Sequence, residues 1–371
     1  MDKEIYNVKV VKFGGSSLAD AEQFKKVGSI IKSDTSRRFV VSSAPGKRFS
    51  GDTKVTDMLY SCYNTAQNGG DFDSVFAIVK DRFDSIIAGL GLSLDLSAEY
   101  EHIKWAILHH AGRDYAASRG EYLNGMILAE YLGYDFIDPA DYIKFCDDGS
   151  FDAETTNGIL SEEMKKHENG VIPGFYGSHP NGTIRTFSRG GSDITGSIVA
   201  RAVYADLYEN WTDVNGFLMA DPRIVPGAKT IKYITYRELR ELSYMGATVL
   251  HEDAIFPVRF AGIPVNIRNT NDVSDPGTMI VSHTDSYDSD DIITGVAGKK
   301  GFCVITIEKA LMNSEKGFGR KVLEAIEKEN LSFEHLPSGI DTMSVILNKS
   351  EISGCKERLI NHICQMVEPD T

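Results

Sequence analysis

The chain has few cysteines, no long apolar stretch and no excess of basic residues, and each absence excludes a class of protein. Its five cysteines (Cys62, Cys146, Cys303, Cys355, Cys364) lack the spacing of a zinc or redox motif, which is typical of a reducing compartment. No apolar run approaches the roughly 20 residues of a membrane helix, and the N-terminus has no signal-peptide character. The net charge of −14 argues against nucleic acid or an anionic membrane as partner. We therefore expect a cytoplasmic protein.

The common nucleotide-binding motifs are also missing. The Walker pattern Gly-x-x-x-x-Gly-Lys-Ser/Thr is absent, because Gly46-Lys47 is followed by Arg48 and Gly298-Lys299 by Lys300. Neither the His-Arg-Asp nor the Asp-Phe-Gly signature of protein kinases occurs. Any kinase activity would need another architecture.

A strand-like run that ends in a lysine and a glycine turn is the most informative motif present. Val8–Phe13 leads into Gly14-Gly15-Ser16-Ser17, and a helical pattern follows from Ala21. Glycines let backbone amides approach an anion, and a following helix points its positive end at the same place. Lys12 adds a full charge there, so the turn suits phosphate. The alternative is a corner that only lets a helix pack closely on a sheet.

The pattern up to about residue 281 alternates strand-like and amphipathic helical stretches. Such alternation predicts an α/β domain with a mostly parallel sheet and helices on both faces. The predicted strands are Val8–Phe13, Arg38–Ser42, Asp135–Ile137, Val171–Gly174, Leu207–Trp211 and Ile263–Ile267. The predicted helices include Gln23–Ile31, Lys54–Asn68, Ala116–Leu132, Ile194–Tyr204 and Tyr236–Met245.

A polar, acidic segment at residues 282–291 has nothing to bury and predicts a linker. We therefore expect one domain over residues 1–290 and a smaller one over 291–371. The smaller domain has the element order β-α-β-β-α, which predicts a small antiparallel sheet with helices on one face. Its strands are expected at 293–297, 302–308, 332–336 and 342–347.

A second glycine turn, Ser188-Arg189-Gly190-Gly191-Ser192-Asp193, opens directly into a helical pattern. Ser192 or Asp193 is expected to cap that helix, whose free amides can also hold an anion. The Arg189 guanidinium suits a carboxylate or phosphate, and Asp193 could pair with a lysine or reach a metal-bound phosphate. The alternative is a plain helix cap beside an exposed arginine.

Two further motifs carry charged residues. Glu121, in Ser118-Arg119-Gly120-Glu121, could bind an ammonium group while Arg189 holds a carboxylate, or it could be an acid that the helix dipole stabilises. The stretch from Trp211-Thr212-Asp213 to Asp221-Pro222-Arg223 could contact a nucleotide, or it could be a surface turn.

Together these motifs resemble the aspartate kinases of the amino-acid kinase superfamily, in the family's order and spacing. The matching blocks are Lys12–Ser17, Val41–Gly46, Ser118–Glu121, Arg189–Asp193, Trp211–Val214, Met245–His251 and Asn266–Thr270. The resemblance spans essentially the whole chain. It implies the amino-acid kinase fold for residues 1–290 and a small α+β, ferredoxin-like ACT regulatory domain for residues 291–371.

The resemblance implies transfer of the γ-phosphoryl of ATP, with Mg²⁺, to the side-chain carboxylate of L-aspartate. The product is 4-phospho-L-aspartate, the first intermediate on the route to lysine, threonine and methionine. The catalytic residues would be Lys12 and Asp193, with Lys12 and Arg189 facing a common cleft. Aspartate would be held by Ser43, Thr56, Glu121, Arg189 and Ser192. The nucleotide would be bound by Gly14, Gly15, Ser16, Thr212, Asp213, Leu218, Asp221 and Arg223.

The resemblance also implies regulation, with lysine and/or threonine as the candidate effectors. Candidate effector-binding residues are Met312, Gly317, Phe318, Gly319 and Glu334. ACT units usually pair across subunits, so a homodimer or higher homo-oligomer is expected. Family members commonly carry two ACT units, whereas this chain holds one, and the second is expected to be missing.

The chain departs from the family at two positions. Thr248 stands where many relatives have a phosphate-side lysine, so Arg223 or Lys229 would supply that charge. The basic, glycine-containing segment Lys47–Lys54 is expected to be a mobile loop over the site. Two alternatives stay open: a kinase for glutamate, acetylglutamate or a nucleoside monophosphate, and a non-catalytic amino-acid sensor.

Overall fold

The computed structural model describes residues 8–188, 190–246, 250, 252–283 and 293–370, apart from the side chains of Glu252 and Asp253. The chain divides into two compact units, residues 1–297 and 298–371. The boundary predicted at residue 290 lies within 284–292, outside the described residues. Each unit is therefore described by itself.

The strands of the larger unit are short, between two and six residues each. They are β1 (Lys9–Phe13), β2 (Arg37–Ser42), β3 (Asp135–Phe136), β4 (Gly170–Pro173), β5 (Tyr176–Ser178), β6 (Ile184–Thr186), β7 (Leu207–Thr212), β8 (Tyr233–Thr235), β9 (Val265–Asn269) and β10 (Thr278–Val281).

The α-helices of this unit lie between and after those strands. They are α1 (Ala21–Lys32), α2 (Val55–Gln67), α3 (Phe72–Leu90), α4 (Ser97–Leu108), α5 (Arg113–Leu132), α6 (Pro139–Tyr142), α7 (Ala153–Met164), α8 (Gly191–Ala202), α9 (Tyr236–Tyr244) and α10 (Phe256–Ala261). No helix in the described part of the chain is both long and apolar enough to cross a bilayer.

Eight of the strands form one sheet in the order β3-β4-β2-β1-β7-β9-β10-β8. The pairs from β3 to β9 are parallel, whereas β9 and β10 are antiparallel. The predicted, mostly parallel sheet is thus confirmed. Since β2, β1 and β7 are neighbours, the loops that follow these three strands meet at one edge of the sheet.

The sheet is covered on both faces because side chains alternate along its strands. On β1, Val10 belongs to one apolar core and Val11 to the other. The first core includes Ile198 of α8, and the second includes Phe24 of α1 and Leu123 of α5. The prediction of helices on both faces is confirmed.

Two features are missing from the sequence-based prediction of this unit. Helices α3 and α4 extend the layer against α2 and α5, and α3 carries apolar residues at helical spacing, among them Phe72, Phe76 and Phe83. The β5–β6 hairpin pairs three residues on each strand, which is too short for a clear alternating pattern.

The smaller unit has strands β11 (Phe302–Glu308) and β12 (Thr342–Asn348) and helices α11 (Phe318–Lys328), α12 (Lys349–Ile352) and α13 (Lys356–Val367). The two strands pair antiparallel over their full length. Residues 293–297 are not a strand. The strand predicted at 332–336 is wrong as well. In this stretch only His335 forms a strand-like bridge, to Ile346. Pro337, which has no N–H to donate, follows two residues later.

Candidate active site

Lys12 lies near the end of β1, where three elements bring polar groups together. Its side chain is almost fully buried, and its Nζ lies 2.5 Å from Asp193 Oδ1 on α8. Asn210 faces Lys12 across the β1–β7 ladder and accepts a 3.4 Å hydrogen bond from Nζ. Asn210 also donates to Asp193 Oδ1 at 2.8 Å. The ammonium group is therefore held at a defined point by two partners from different elements.

The sequence-based prediction missed Asn210. It sits in the buried part of β7, one residue before Trp211, where an amide must find a hydrogen-bond partner. A polar residue inside a buried strand, just before a predicted nucleotide-binding turn, is the signal that could have identified it.

The glycine turn after β1 packs directly against the loop after β2. A Cβ on Gly15 would lie 2.8 Å from the Ala44 carbonyl oxygen, and one on Gly46 would lie 2.6 Å from the carbonyl carbon of Gly15. Gly46 N–H donates to Gly15 O at 2.8 Å. Gly15 thus serves close packing between two loops. A Cβ on Gly14, by contrast, would make ordinary contacts, at 3.6 Å from Lys12 Nζ.

The glycine turn does not lead directly into α1. A 3-10 turn, Gly15–Leu18, separates β1 from α1, and the Asp20 side chain caps α1 by accepting from Gln23 N–H. The Asp20 carboxylate thus satisfies one of the free amides at the start of α1. The amides close to Lys12 belong to the glycine turn itself.

Helix α8 begins differently from the prediction. Its N-cap is Gly190, in the left-handed conformation at φ 57°, so the expected capping by Ser192 or Asp193 is wrong. The Asp193 carboxylate binds Lys12 and Asn210 instead. Arg189 lies outside the described residues, so its meeting with Lys12 at a common cleft stays a prediction.

Glu121 is a buried carboxyl on α5 beside the loop after β2. Burial raises its pKa to about 8, partly offset by the backbone N–H of Ala44, which donates to the carboxyl group. Its Oε2 has no hydrogen-bond partner among the described residues. Gly120 permits this approach, since a Cβ there would lie 2.8 Å from the Ala44 Cβ. An unpaired carboxyl oxygen inside the protein is suited to binding a cationic group.

The loop that contains Ser43 is fixed by α5 and β1. Asn124 on α5 donates to the Ser43 carbonyl at 2.7 Å, and Ser43 N–H donates to the Phe13 carbonyl at 3.2 Å. The Val55 N–H, at the start of α2, donates to the Pro45 carbonyl at 3.1 Å. Thr56, the next residue, is thereby tied to the same loop as Ser43.

A cavity of about 490 Å³ is lined in part by α2, the helix that carries Thr56. Its wall includes Tyr60 of α2, on whose ring the Arg113 guanidinium stacks at 4.1 Å. Burial raises the pKa of Tyr60, and the positive charge of Arg113 partly offsets this. The remaining lining residues are Asp114, Phe145, Gly149, Phe151, Phe175, Arg185, Thr186, Phe187 and Ser188.

The predicted nucleotide-binding residues start at the end of β7, beside β1. The Thr212 carbonyl accepts from Thr270 N–H at 2.9 Å, and exposed Asp213 follows. Further along, Arg223 and Asp221 form an ion pair at 2.7 Å on an exposed turn, while half-buried Leu218 bridges to Thr230. Arg223, which was expected to replace the charge missing at Thr248, is thus already paired with Asp221. Thr248 itself lies outside the described residues.

In the smaller unit, the predicted effector residues divide into two groups. The Met312 and Phe318 side chains belong to the core of that unit, so only their backbone groups could contact an effector. Gly317, at φ 82°, is the N-cap of α11, Gly319 follows in its first turn, and the Glu334 N–H donates to Ile346 O at 2.8 Å.

Comparisons with known proteins agree on one family. A model of the amino acid kinase family matches residues 7–269. Over 368 residues the chain is 40% identical to aspartokinase 3 of Bacillus subtilis, which covers 95% of this chain and 80% of that protein. The crystal structure of Clostridium acetobutylicum aspartate kinase is 52% identical, with a TM-score of 0.86, over 98% of this chain and 83% of that one. E. coli aspartokinase III, solved with aspartate and ADP, shares the fold at 23% identity and a TM-score of 0.71, over 98% and 85% of the two chains.

Proposed function

The chain belongs to the amino acid kinase family and is an aspartate kinase, and from this premise we propose which of its groups carry the phosphoryl transfer. The reaction forms a bond between a side-chain carboxylate oxygen of aspartate and the γ-phosphorus of ATP, and breaks the bond to the ADP oxygen. The attacking carboxylate is already ionised, so it needs no general base. The barrier lies in bringing two anions together.

Lys12 is the group that lowers this barrier. The single observation that supports the role is the Lys12–Asp193–Asn210 cluster at the carboxyl edge of the sheet, where parallel sheets bind ligands. An ammonium group held in a nearly buried position stabilises developing phosphoryl charge without having to reorganise. Asp193 and Asn210 position it.

ATP binding is assigned to Gly14, Gly15 and Ser16 of the glycine turn and to the loop after β7. Amides of the turn would hold phosphate oxygens beside Lys12. Thr212, Asp213, Leu218, Asp221 and Arg223 would contact the rest of the nucleotide. Mg²⁺ would bind the phosphate oxygens with Asp193 as the carboxylate on its protein side, and would neutralise part of their charge.

Aspartate binding is assigned to the groups on the other side of Lys12. Glu121 would hold the ammonium group, and Ser43, Thr56 and Ser192 would hold carboxylate oxygens together with Arg189. The support is the unpaired, buried oxygen of Glu121 and its contact with the loop that carries Ser43.

An ADP-release assay with a panel of acceptors tests this function. We expect turnover with L-aspartate, and none above background with glutamate, N-acetylglutamate or a nucleoside monophosphate. Turnover with one of those acceptors instead would favour a differently specific kinase. Nucleotide binding without any turnover would favour the amino-acid sensor.

The raised pKa of Glu121 predicts proton release on substrate binding. With a pKa of about 8, most of these carboxyls are neutral in the free enzyme at pH 7. An ammonium group favours the ionised form, so aspartate binding should release most of one proton per site at pH 7. The same linkage lowers the KM for aspartate about fivefold between pH 7 and pH 8. Calorimetry in buffers of different ionisation enthalpy measures the proton count.

Glu121→Gln is the control for this prediction. The amide keeps the volume but cannot ionise, so the proton release should vanish and the KM for aspartate should rise and lose its pH dependence. If the wild-type enzyme binds aspartate at pH 7 without releasing a proton, Glu121 is not the ammonium-binding group.

The smaller unit is assigned a regulatory, ACT-like role, with lysine and/or threonine as effectors and pairing across subunits in a homodimer or larger assembly. Titration of the activity with lysine, with threonine and with both together should show inhibition in at least one series. Full activity in all three would remove this role. All five cysteines are free, as suits the reducing cytoplasm in which we place the enzyme.

A further inference from the structure

The segment Lys47–Lys54, expected from its composition to be mobile, is anchored by Asp52. The Asp52 side chain is buried and lies 2.6 Å from Arg82 Nη2 on α3. It also accepts from Arg48 three times, from Nε at 2.8 Å and from Nη2 and the backbone N–H at 3.0 Å. One carboxylate thus holds the segment against α3.

The Arg82 guanidinium also donates hydrogen bonds to three backbone carbonyls. Its Nη1 donates to the Gly46 carbonyl at 3.1 Å and to the Ala19 carbonyl at 3.4 Å, and its Nη2 donates to the Thr53 carbonyl at 3.3 Å. Only 2% of the Arg82 side chain is exposed, so it cannot reach a substrate. A single buried cation therefore links the segments after β1, after β2 and before α2.

These three segments carry the groups assigned to both substrates. The loop after β2 leads from Ser43 to Gly46, whose backbone touches Gly15 in the glycine turn beside Lys12. Thr53 is three residues before Thr56 at the start of α2. A displacement at Arg82 would therefore move the proposed ATP-binding turn and the proposed aspartate-binding loop together.

We propose that Arg82 and Asp52 are positioning residues for phosphoryl transfer, setting the distance between the two loops that hold the two anions. The proposal rests on the function assigned above. The buried guanidinium donates to three backbone carbonyls, and Asp52 balances its charge inside the protein. Because a misplacement of about 1 Å can cost two orders of magnitude in rate, small shifts of these loops would be visible in kinetics.

The matched control is a second buried arginine–carboxylate pair among the described residues of this unit. Arg37 binds Glu209 bidentately at 2.8 and 3.2 Å, and both side chains are as buried as those of Arg82 and Asp52. Arg37 donates instead to the Ile30 carbonyl and to Ser33 Oγ. It is the first residue of β2, whereas the loop that carries Ser43 follows the last residue of that strand. Loss of either arginine leaves a buried carboxylate, so Arg82→Met and Arg37→Met should both lower the melting temperature.

Kinetics at a temperature where both variants are folded separates the two roles. We expect Arg82→Met to raise the KM for aspartate and for ATP by about tenfold or more and to lower kcat by at least that factor. Arg37→Met loses no hydrogen bond to either substrate loop, so it should change KM and kcat per folded molecule far less than Arg82→Met does. Direct titration with a non-hydrolysable ATP analogue should show the same loss of affinity in Arg82→Met alone.

If Arg82→Met has the same KM and kcat values as Arg37→Met, the proposal is overturned. If Arg82→Met does not fold, Asp52→Asn and Arg82→Lys take its place. Arg82→Lys keeps the charge beside Asp52, but its three N–H donors cannot serve Asp52 and three carbonyls at once, so it should still raise both KM values. Wild-type constants in both variants would overturn the proposal. A wild-type enzyme without aspartate-dependent turnover would instead count against the proposed function.

Discussion

Replacing Lys12 by alanine is expected to lower kcat by about 1,000-fold while the protein stays folded. The reason is electrostatic: the ammonium group supplies the one buried positive charge that the structure describes within 4 Å of Asp193, at the edge where the two anions are proposed to meet. Its removal leaves Asp193 with Asn210 as partner, and leaves the negative charge of Asp193 without its cation where repulsion already limits the reaction. A coupled assay of ADP release with saturating aspartate and ATP measures the loss.

Lys9→Ala is the matched control for this variant. Lys9 lies on the same strand at its opposite end, where it pairs with Asp34 at 2.6 Å in a partly exposed position. Loss of that ion pair should change stability by less than about 1 kcal/mol and leave kcat unchanged. Circular dichroism of both variants shows whether they are folded. Near-normal kcat in Lys12→Ala would refute the assignment of Lys12.

Replacing Gly46 by alanine is expected to have the second-largest effect. The added Cβ would lie 2.6 Å from the Gly15 carbonyl carbon and 2.8 Å from its oxygen, so the two loops must separate. Overpacking of this kind costs about 1–3 kcal/mol of stability. The same separation moves the glycine turn away from Lys12, and we expect kcat to fall about 100-fold. Thermal unfolding and steady-state kinetics measure the two consequences separately.

Gly158→Ala serves as the control, because it adds the same methyl group to α7, where the new Cβ meets no atom within 4 Å apart from its chain neighbours and its own helix backbone. Alanine in an exposed helix should stabilise the protein by about 0.5–1 kcal/mol and leave kcat unchanged. If Gly46→Ala is as active and as stable as Gly158→Ala, the contact between the loops after β1 and β2 does not control the site.

Much of the fold could be predicted because its signals are local. Strands β1 and β2 contain apolar, partly β-branched runs that end in turn residues, and α8 has an apolar face at helical spacing. These patterns report which side of an element is buried, and burial on both sides of short strands indicates a parallel sheet. The helices α3 and α4 were missed, because they follow α2 without a strand between them and so fall outside the strand–helix alternation.

The candidate site was predicted in part. Lys12 and Asp193 were identified from two glycine turns, and the structure brings their charged groups to 2.5 Å although 181 positions separate them in the chain. Asn210 was missed, since an amide in a strand has no chemical signature until its neighbours are known. Gly15 was interpreted as a phosphate-binding residue, but its lack of a side chain is also required by the Ala44 carbonyl.

The sequence by itself determined the family, the reaction and the residue types at the edge of the sheet, because these depend on short motifs whose order along the chain is preserved. Tertiary structure alone decided which charges meet. The pairing of Lys12 with Asp193, the unpaired oxygen of Glu121 and the bonds from Arg82 to three loop carbonyls arise where distant segments cross. Burial then sets how strongly each charge acts, since the energy of a charge depends on the surroundings that the whole fold provides.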